Sequence, residues 1–153
     1  MRHFLDTYVS ILMLGGDNVK VIICVEKSNG MLFNNRRHSK DSVLQQKIFE
    51  LIGQKELLVN EYTAGQFATA EGLKVCQNFL EIAKEDDYCF VEKEDIPIDK
   101  VSELLIFRWN RAYPSDVYFS YDLASLGFKR VKKKEFAGSS HKRITLEIYR
   151  REN

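Results

Sequence analysis

The chain has 153 residues, 44% of them hydrophobic, with 23 basic side chains against 22 acidic ones. That length suits one domain of ordinary size whose core needs no disulfide or metal. Two prolines and eight glycines exclude a disordered or collagen-like chain, and a net charge of +1 excludes a global attraction to nucleic acid or an acidic membrane. No apolar run reaches the about 18–20 residues of a bilayer span.

Residues 1–18 (MRHFLDTYVSILMLGGDN) read as an N-terminal extension ahead of a single domain over 19–153. Their basic start and apolar stretch are faintly like a signal peptide, but Asp6 interrupts the stretch and no small-x-small cleavage site precedes Gly15-Gly16. A peripheral strand or helix ending at the glycine pair fits better, and an overlong start is the alternative. Val19 to Val25 (VKVIICV) is β-branched and apolar, as a strand buried on both faces is. A long polar loop, EKSNGMLFNNRRHSK, follows, with a turn at Asn29-Gly30. Ser39 or Asp41 caps a helix beginning near Asp41, with Leu44, Ile48, Leu51 and Ile52 on one face and Gly53 at its end. A short strand covers Glu56 to Val59. The stripe Val75, Cys76, Phe79, Leu80 and Ala83 predicts a second helix over Glu71 to Ala83. Tyr88 to Val91 is strand-like, Pro97 opens a short helix running through Val101, and Glu103 to Trp109 reads as a central strand. Asp116 to Tyr121, Phe128 to Lys133 and Arg143 to Tyr149 read as strands. In the last, Ile144, Leu146 and Ile148 alternate with Thr145, Glu147 and Tyr149, which predicts one buried and one solvated face. The fold class is therefore α/β: a mixed, mostly parallel central sheet, helices on both faces and an antiparallel C-terminal strand pair.

Cys24, Cys76 and Cys89 are odd in number and widely spaced, as free thiols of a cytoplasmic protein are. His3, His38 and His141 make no H-x-H or H-E-x-x-H pair, so no metal site is expected. The densest candidate chemistry is Phe33 to Asp41 (FNNRRHSKD), between the first strand and the first helix. Arg36, Arg37 and Lys40 are suited to a phosphate or carboxylate, with His38 beside them and the helix N-terminus adding its field. Asp41 is the candidate catalytic carboxylate, and three neighbouring cations predict a lowered pKa, an acceptor rather than a proton donor. A second basic group, Lys129, Arg130, Lys132, Lys133, Lys134, Lys142 and Arg143, is a candidate nucleic-acid surface if pairing of the last strands places it on one side. Lysines that protect an edge strand from aggregation are the competing explanation. G-x-G-x-x-G, G-x-x-x-x-G-K-[ST] and G-x-S-x-G are all absent.

The order of these blocks from Val19 to Glu152 resembles dihydrofolate reductase. VKVIICVEKSNGM is similar to that family's first strand and following loop. Asp41 or Ser42 stands where its catalytic carboxylate begins the first helix. LLVNEYTAGQF is similar to the strand and helix start bearing the family's G-R-x-T-x-x-S nucleotide motif, and SSHKRITLEIYRR to its last strand. The resemblance implies a pterin- or nucleotide-like ligand held beside Glu26, Thr63, Arg36, Arg37 and His38, with NADPH as cofactor. The departures put the cofactor in doubt. Thr63 survives, but Asn60 and Glu61 replace glycine and arginine. The Gly-Gly pair that lets the pyrophosphate approach falls near Phe90-Val91-Glu92-Lys93 and is missing. Phe107 replaces a threonine, and the segment between Phe67 and Tyr88 is short for the family's extra strand–helix–strand.

The leading expectation is thus a cytoplasmic domain of dihydrofolate reductase-like fold, with a degraded NADPH site, binding a small anionic ligand. If it is an enzyme, it is an NADPH-dependent reductase. The FNNRRxSxD block is also similar to one in short proteins labelled ribonucleases. With no H-x-H-x-D-H signature, such a ribonuclease would be metal-independent and use Arg36, Arg37, His38 and Asp41 on RNA. A non-enzymatic interaction module working through an edge strand is the third alternative.

Overall fold

The computed structural model describes residues 18–152; the proposed N-terminal extension lies outside them except for Asn18. A seven-stranded sheet carries the fold. Its strands are β1 (Val19–Val25), β4 (Leu57–Val59), β5 (Leu73–Val75), β6 (Tyr88–Phe90), β7 (Val101–Arg108), β9 (Phe128–Phe136) and β10 (Ile144–Arg151), in the order β5-β4-β6-β1-β7-β10-β9. The first five in that order pair in parallel. β10 runs antiparallel to β7, and β9 antiparallel to β10 at the edge. A smaller sheet, β3-β2-β8, joins β2 (Gly30–Phe33), β3 (Arg36–Arg37) and β8 (Val117–Tyr118).

The apolar run of β1 is buried because the strand lies between β6 and β7 with core on both sides. Val21, Ile23 and Val25 face one cluster with Leu104, Ile106, Met31 and Leu32. Ile22 faces the other with Leu105, Phe107 and Ile148. Helix α1 (Ser42–Ile52) buries Leu44, Ile48 and Ile52 in the second cluster. The one-turn helix α3 (Phe79–Ile82) buries Phe79 in the first. Helices therefore lie on both faces, as the alternation of elements predicts. One further turn of helix, α2 (Glu61–Ala64), follows β4, and a 3₁₀ turn (Ile98–Lys100) with Pro97 at its N-cap leads into β7.

Three expectations change. The helix expected over Glu71 to Ala83 is instead β5 followed by α3. Gly72, at φ +80°, stands where a continuous helix would run, and β-branched Val75 pairs with Val59 in the sheet. The segment after Phe67 thus holds a compressed strand–helix–strand rather than none. The polar loop after β1 contains the β2–β3 hairpin. Its two-residue turn, Asn34-Asn35, has φ of 51° and 62°, the doubly left-handed conformation that matches strand twist and that asparagine tolerates. β10 is buried on both faces as far as Ile148, because Glu147 is covered rather than solvated: Arg108 Nε reaches it at 2.7 Å and Arg130 Nη1 at 3.4 Å. Burial of Glu147 opposes its ionisation, but these arginines and the Tyr149 hydroxyl outweigh that and keep its pKa low.

Ile48 is fully buried between α1 and the sheet. Ile48→Ala is expected to lower stability by about 2–5 kcal/mol, whereas Val131→Ala at an exposed position on β9 is expected to change it by no more than about 0.5 kcal/mol. Urea unfolding followed by circular dichroism checks both.

Candidate functional site

The carboxyl ends of the parallel strands are where an α/β sheet ordinarily places a site. Here they are covered by a clamp. Glu92, just past β6, is 8% exposed. Arg37 of β3 holds it with two hydrogen bonds of 2.9 Å, Nε to Oε2 and Nη2 to Oε1, and the buried Thr63 hydroxyl donates to Oε1 at 2.9 Å. The Arg37 guanidinium lies over the Tyr62 ring, 4.2 Å from its centroid, with Lys93 3.6 Å from the same ring. Tyr62 also accepts from the Arg37 amide and side chain. Asn60 caps α2 through Thr63 and donates to Glu94. The β2–β3 hairpin is thereby strapped over the ends of β4 and β6.

A pyrophosphate does not fit these residues. Where the resemblance places a Gly-Gly pair there is a buried carboxylate already satisfied by Arg37, and Glu61 and Glu94 add further negative charge nearby. An incoming phosphate would meet repulsion, and to gain Arg37 it would have to leave Glu92 buried and unpaired.

Asp41 and Glu26 are buried, each 2% exposed, and both are saturated by the protein. Asp41 is the N-cap of α1: Oδ1 accepts from the Leu44 amide at 2.9 Å, and Oδ2 accepts from the Ser140 amide at 2.6 Å and hydroxyl at 2.9 Å. Burial alone would raise its pKa. The donors of Ser140, Leu44 and Ser139 overcome this and bring it to about 2. The low value expected from neighbouring cations is therefore present, but amide and hydroxyl donors cause it. Glu26 accepts from the amides of Ser28, Gly30 and Tyr113, which offset its burial and lower its pKa. Gly30 is obligatory here, since a Cβ would lie 1.9 Å from Ser115 Oγ. Cys24 is partly exposed on β1. Desolvation and the Glu92 charge push its thiol well up, so it remains protonated.

The hydrogen-bond chain from Asp41 has a fixed direction. Ser140 Oγ has one proton, and two acceptors compete for it, Asp41 Oδ2 and Lys40 O at 3.0 Å. It must therefore accept from His141 Nδ1–H at 2.8 Å. His141 Nε2 then accepts the Tyr113 hydroxyl at 2.8 Å. Burial first, and then the Arg111 charge, lower the His141 pKa, with Asp41 opposing, which keeps the ring neutral at pH 7. The rings continue the chain: Trp109 packs on His141 at 4.6 Å between centroids, and Tyr113 stacks on His38 at 5.2 Å. His38 Nε2 donates to Pro114 O at 3.0 Å. Sequence reasoning did not single out Tyr113 or Ser140, although Ser140 lies in the SSH block, and it read Glu92 only as part of the segment where a Gly-Gly pair is missing, not as the buried partner of Arg37.

Two open clefts flank Tyr113. One, of about 480 Å³, is lined by Phe33, Asn34, Arg36, Arg37, His38, Tyr113 and Pro114. The other, of about 440 Å³, lies between residues 109–111 and 140–143. Of the predicted loop residues, Arg36, Arg37 and His38 line the first cleft, while Glu26, Asp41 and Thr63 are hydrogen-bonded internally. The basic residues of β9 do not gather on one surface. A bulge at Val131 and the pairing with β10 set Lys132 and Lys134 opposite Ile148 and Leu146, but Arg130 and Lys133 opposite Tyr149 and Glu147. The cations therefore divide between the two faces of an edge strand.

Comparison with known proteins bears on this arrangement as a whole. No family model and no curated protein matches the sequence. Among solved structures, the fold is similar to that of dihydrofolate reductase from Enterococcus faecalis complexed with NADP(H) and RAB-propyl. The TM-score is 0.62 at 11% identity, covering 89% of this chain and 97% of that one. The chain has a dihydrofolate reductase-like fold.

Asp41→Ala removes both the helix cap and the anchor of residues 138–141, and is expected to cost at least about 1–2 kcal/mol. The Asp41 pKa is lowered in the fold, so its contribution is full above the unfolded value near 4 and is lost as pH falls toward 2. The stability difference between wild type and Asp41→Asn, measured by thermal unfolding from pH 6 to 2, should shrink across that window. Glu92→Ala, which leaves Arg37 without its buried partner, is expected to cost about 3–5 kcal/mol in the same measurement.

Proposed function

We propose that this domain binds a small, flat, anionic ligand of pterin or nucleotide type in the cleft of about 480 Å³ beside Tyr113, without a nicotinamide cofactor. The observation that carries this reading is the placement of Arg36. It lines a cleft with aromatic walls, Phe33 and Tyr113, and among the described residues no carboxylate lies within 4 Å of it. A cleft of this volume suits a small organic ligand, and an unpaired guanidinium supplies bidentate recognition of phosphate or carboxylate. Arg37, tied to Glu92, forms the rigid floor and leaves Arg36 to meet the ligand.

Hydride transfer is not part of this reading. The Arg37–Glu92–Thr63 clamp occupies the region in which the resemblance would place the cofactor phosphates, and Phe107 brings no hydroxyl to order a water. The activity proposed is binding. A cytoplasmic setting accords with three unpaired cysteines, and among the described residues no helix is long and apolar enough to cross a membrane.

Titration calorimetry with dihydrofolate, AMP and GMP tests the reading. One of these is expected to bind, and Arg36→Ala is expected to weaken it about tenfold or more, the loss of one charge-assisted contact. NADPH at millimolar concentration is expected to give no change in its fluorescence. Saturable NADPH binding, or a ligand indifferent to Arg36→Ala, would overturn it.

A further inference from the structure

The second cleft, of about 440 Å³, is joined to the first through the hydrogen bond between its His141 and Tyr113 of the first, but it has a different chemistry. Arg111, Lys142 and Arg143 stand on its walls, and its floor is Trp109 and His141, both buried. No carboxylate is among its lining residues. Asn110, at φ 58°, turns the chain so that Arg111 faces the 140–143 loop, and its side chain is tied to Thr145. That loop is pinned in turn by Asp41 through Ser140.

We propose that this cleft is a binding site for a tetrahedral oxyanion, the phosphate group of a small phosphorylated molecule. Two guanidinium groups supply planar pairs of donors matched to adjacent oxygens of such an anion, and Lys142 supplies a point charge. Arg143 already contacts Glu135, at 3.7 Å, but both partners are largely exposed. Such a pair is weak and yields to a better anion. Arg111 and Lys142 have no carboxylate within 4 Å among the described residues.

His141 makes the site sensitive to protons. The groups facing it are Asp41 from the cap of α1, through Ser140, Arg111 and Tyr113 from the loop after β7, and Lys142 beside it in sequence. Without an anion, burial and Arg111 keep the imidazole neutral. An anion held by Arg111 cancels part of that cation's repulsion and adds attraction of its own, so the bound state favours imidazolium. The proton goes to Nε2, the nitrogen that accepts from Tyr113. Nε2 then becomes a donor, and the Tyr113 hydroxyl must turn its own proton elsewhere. Binding is therefore tightened by acid.

Sulfate is the probe, because it does not titrate between pH 5 and 8, and amide NMR locates it. Shifts are expected at residues 109–111 and 140–143, with affinity rising severalfold from pH 8 to pH 5.5. Arg111→Ala, at an exposed position, is expected to weaken binding about tenfold or more. Lys129→Ala, on β9, should leave it unchanged. His141→Gln should bind sulfate with the pH dependence abolished; if that variant does not fold, the proton uptake of the wild-type chain, measured by calorimetry in buffers of different ionisation enthalpy, reads the same linkage. Shifts spread over all basic residues, equal losses for Arg111→Ala and Lys129→Ala, or affinity independent of pH would overturn the proposal. Shifts confined to residues 33–38 would overturn it while leaving the first cleft's role intact.

Discussion

A carboxylate buried at the open end of a parallel sheet must be paired, and Glu92 is such a carboxylate. The pairing shapes everything around it. Arg37 is drawn inward, and because Arg37 belongs to a hairpin, the whole of β2–β3 is drawn across the sheet ends with it. Thr63 and Tyr62 complete the clamp from the α2 turn. The space in which an α/β sheet commonly receives a phosphate is filled by the protein's own ion pair, and the two clefts joined by the Tyr113–His141 hydrogen bond lie to one side of it.

The same logic runs through the sheet. Glu103 takes Arg150 at 2.9 Å, and Glu147 takes Arg108 and Arg130. Glu92, Glu103 and Glu147 each use up arginine, whereas the buried Asp41 and Glu26 are held by amides and hydroxyls. The near-zero net charge thus divides into cations spent on internal carboxylates and cations left outside. Those outside, Arg36, Arg111, Lys142 and the β9 lysines, have no carboxylate within 4 Å among the described residues, and the first three are the cations that the proposed ligands would meet. The β9 lysines occupy both faces of an edge strand with a bulge, the arrangement by which edge strands resist pairing with other chains.

The frame was legible in the sequence where a pattern had one physical cause. VKVIICV is a buried strand because nothing in it tolerates water, and Asp41 and Gly53 bracket α1 because cap and stop chemistry are local. The Glu71–Ala83 stripe misled because a three-residue strand and a one-turn helix, placed end to end, mimic helical spacing. The Asn34-Asn35 hairpin was readable from a two-residue asparagine turn between GMLF and RR, but the strands beside it are too short for periodicity to show. The site was less legible. Residue type placed Arg36, Arg37, His38 and Asp41 near one another, yet which of them stay available depends on Glu92 and Ser140, 55 and 99 residues away in the chain.

Asp41 also has a structural consequence that reaches beyond its own helix. It remains ionised down to about pH 2, so across the whole range in which proteins work it can only accept hydrogen bonds. That one constraint fixes the Ser140 proton, and through it the His141 tautomer and the Tyr113 hydroxyl. The wall between the two clefts is therefore polarised from one end. Any event that protonates His141 reverses the Tyr113 end of the chain while the Asp41 end stays put. A carboxylate held ionised by amide and hydroxyl donors is suited to this task, because its fixed charge lets the donor and acceptor pattern of the adjoining clefts respond to a single proton on His141.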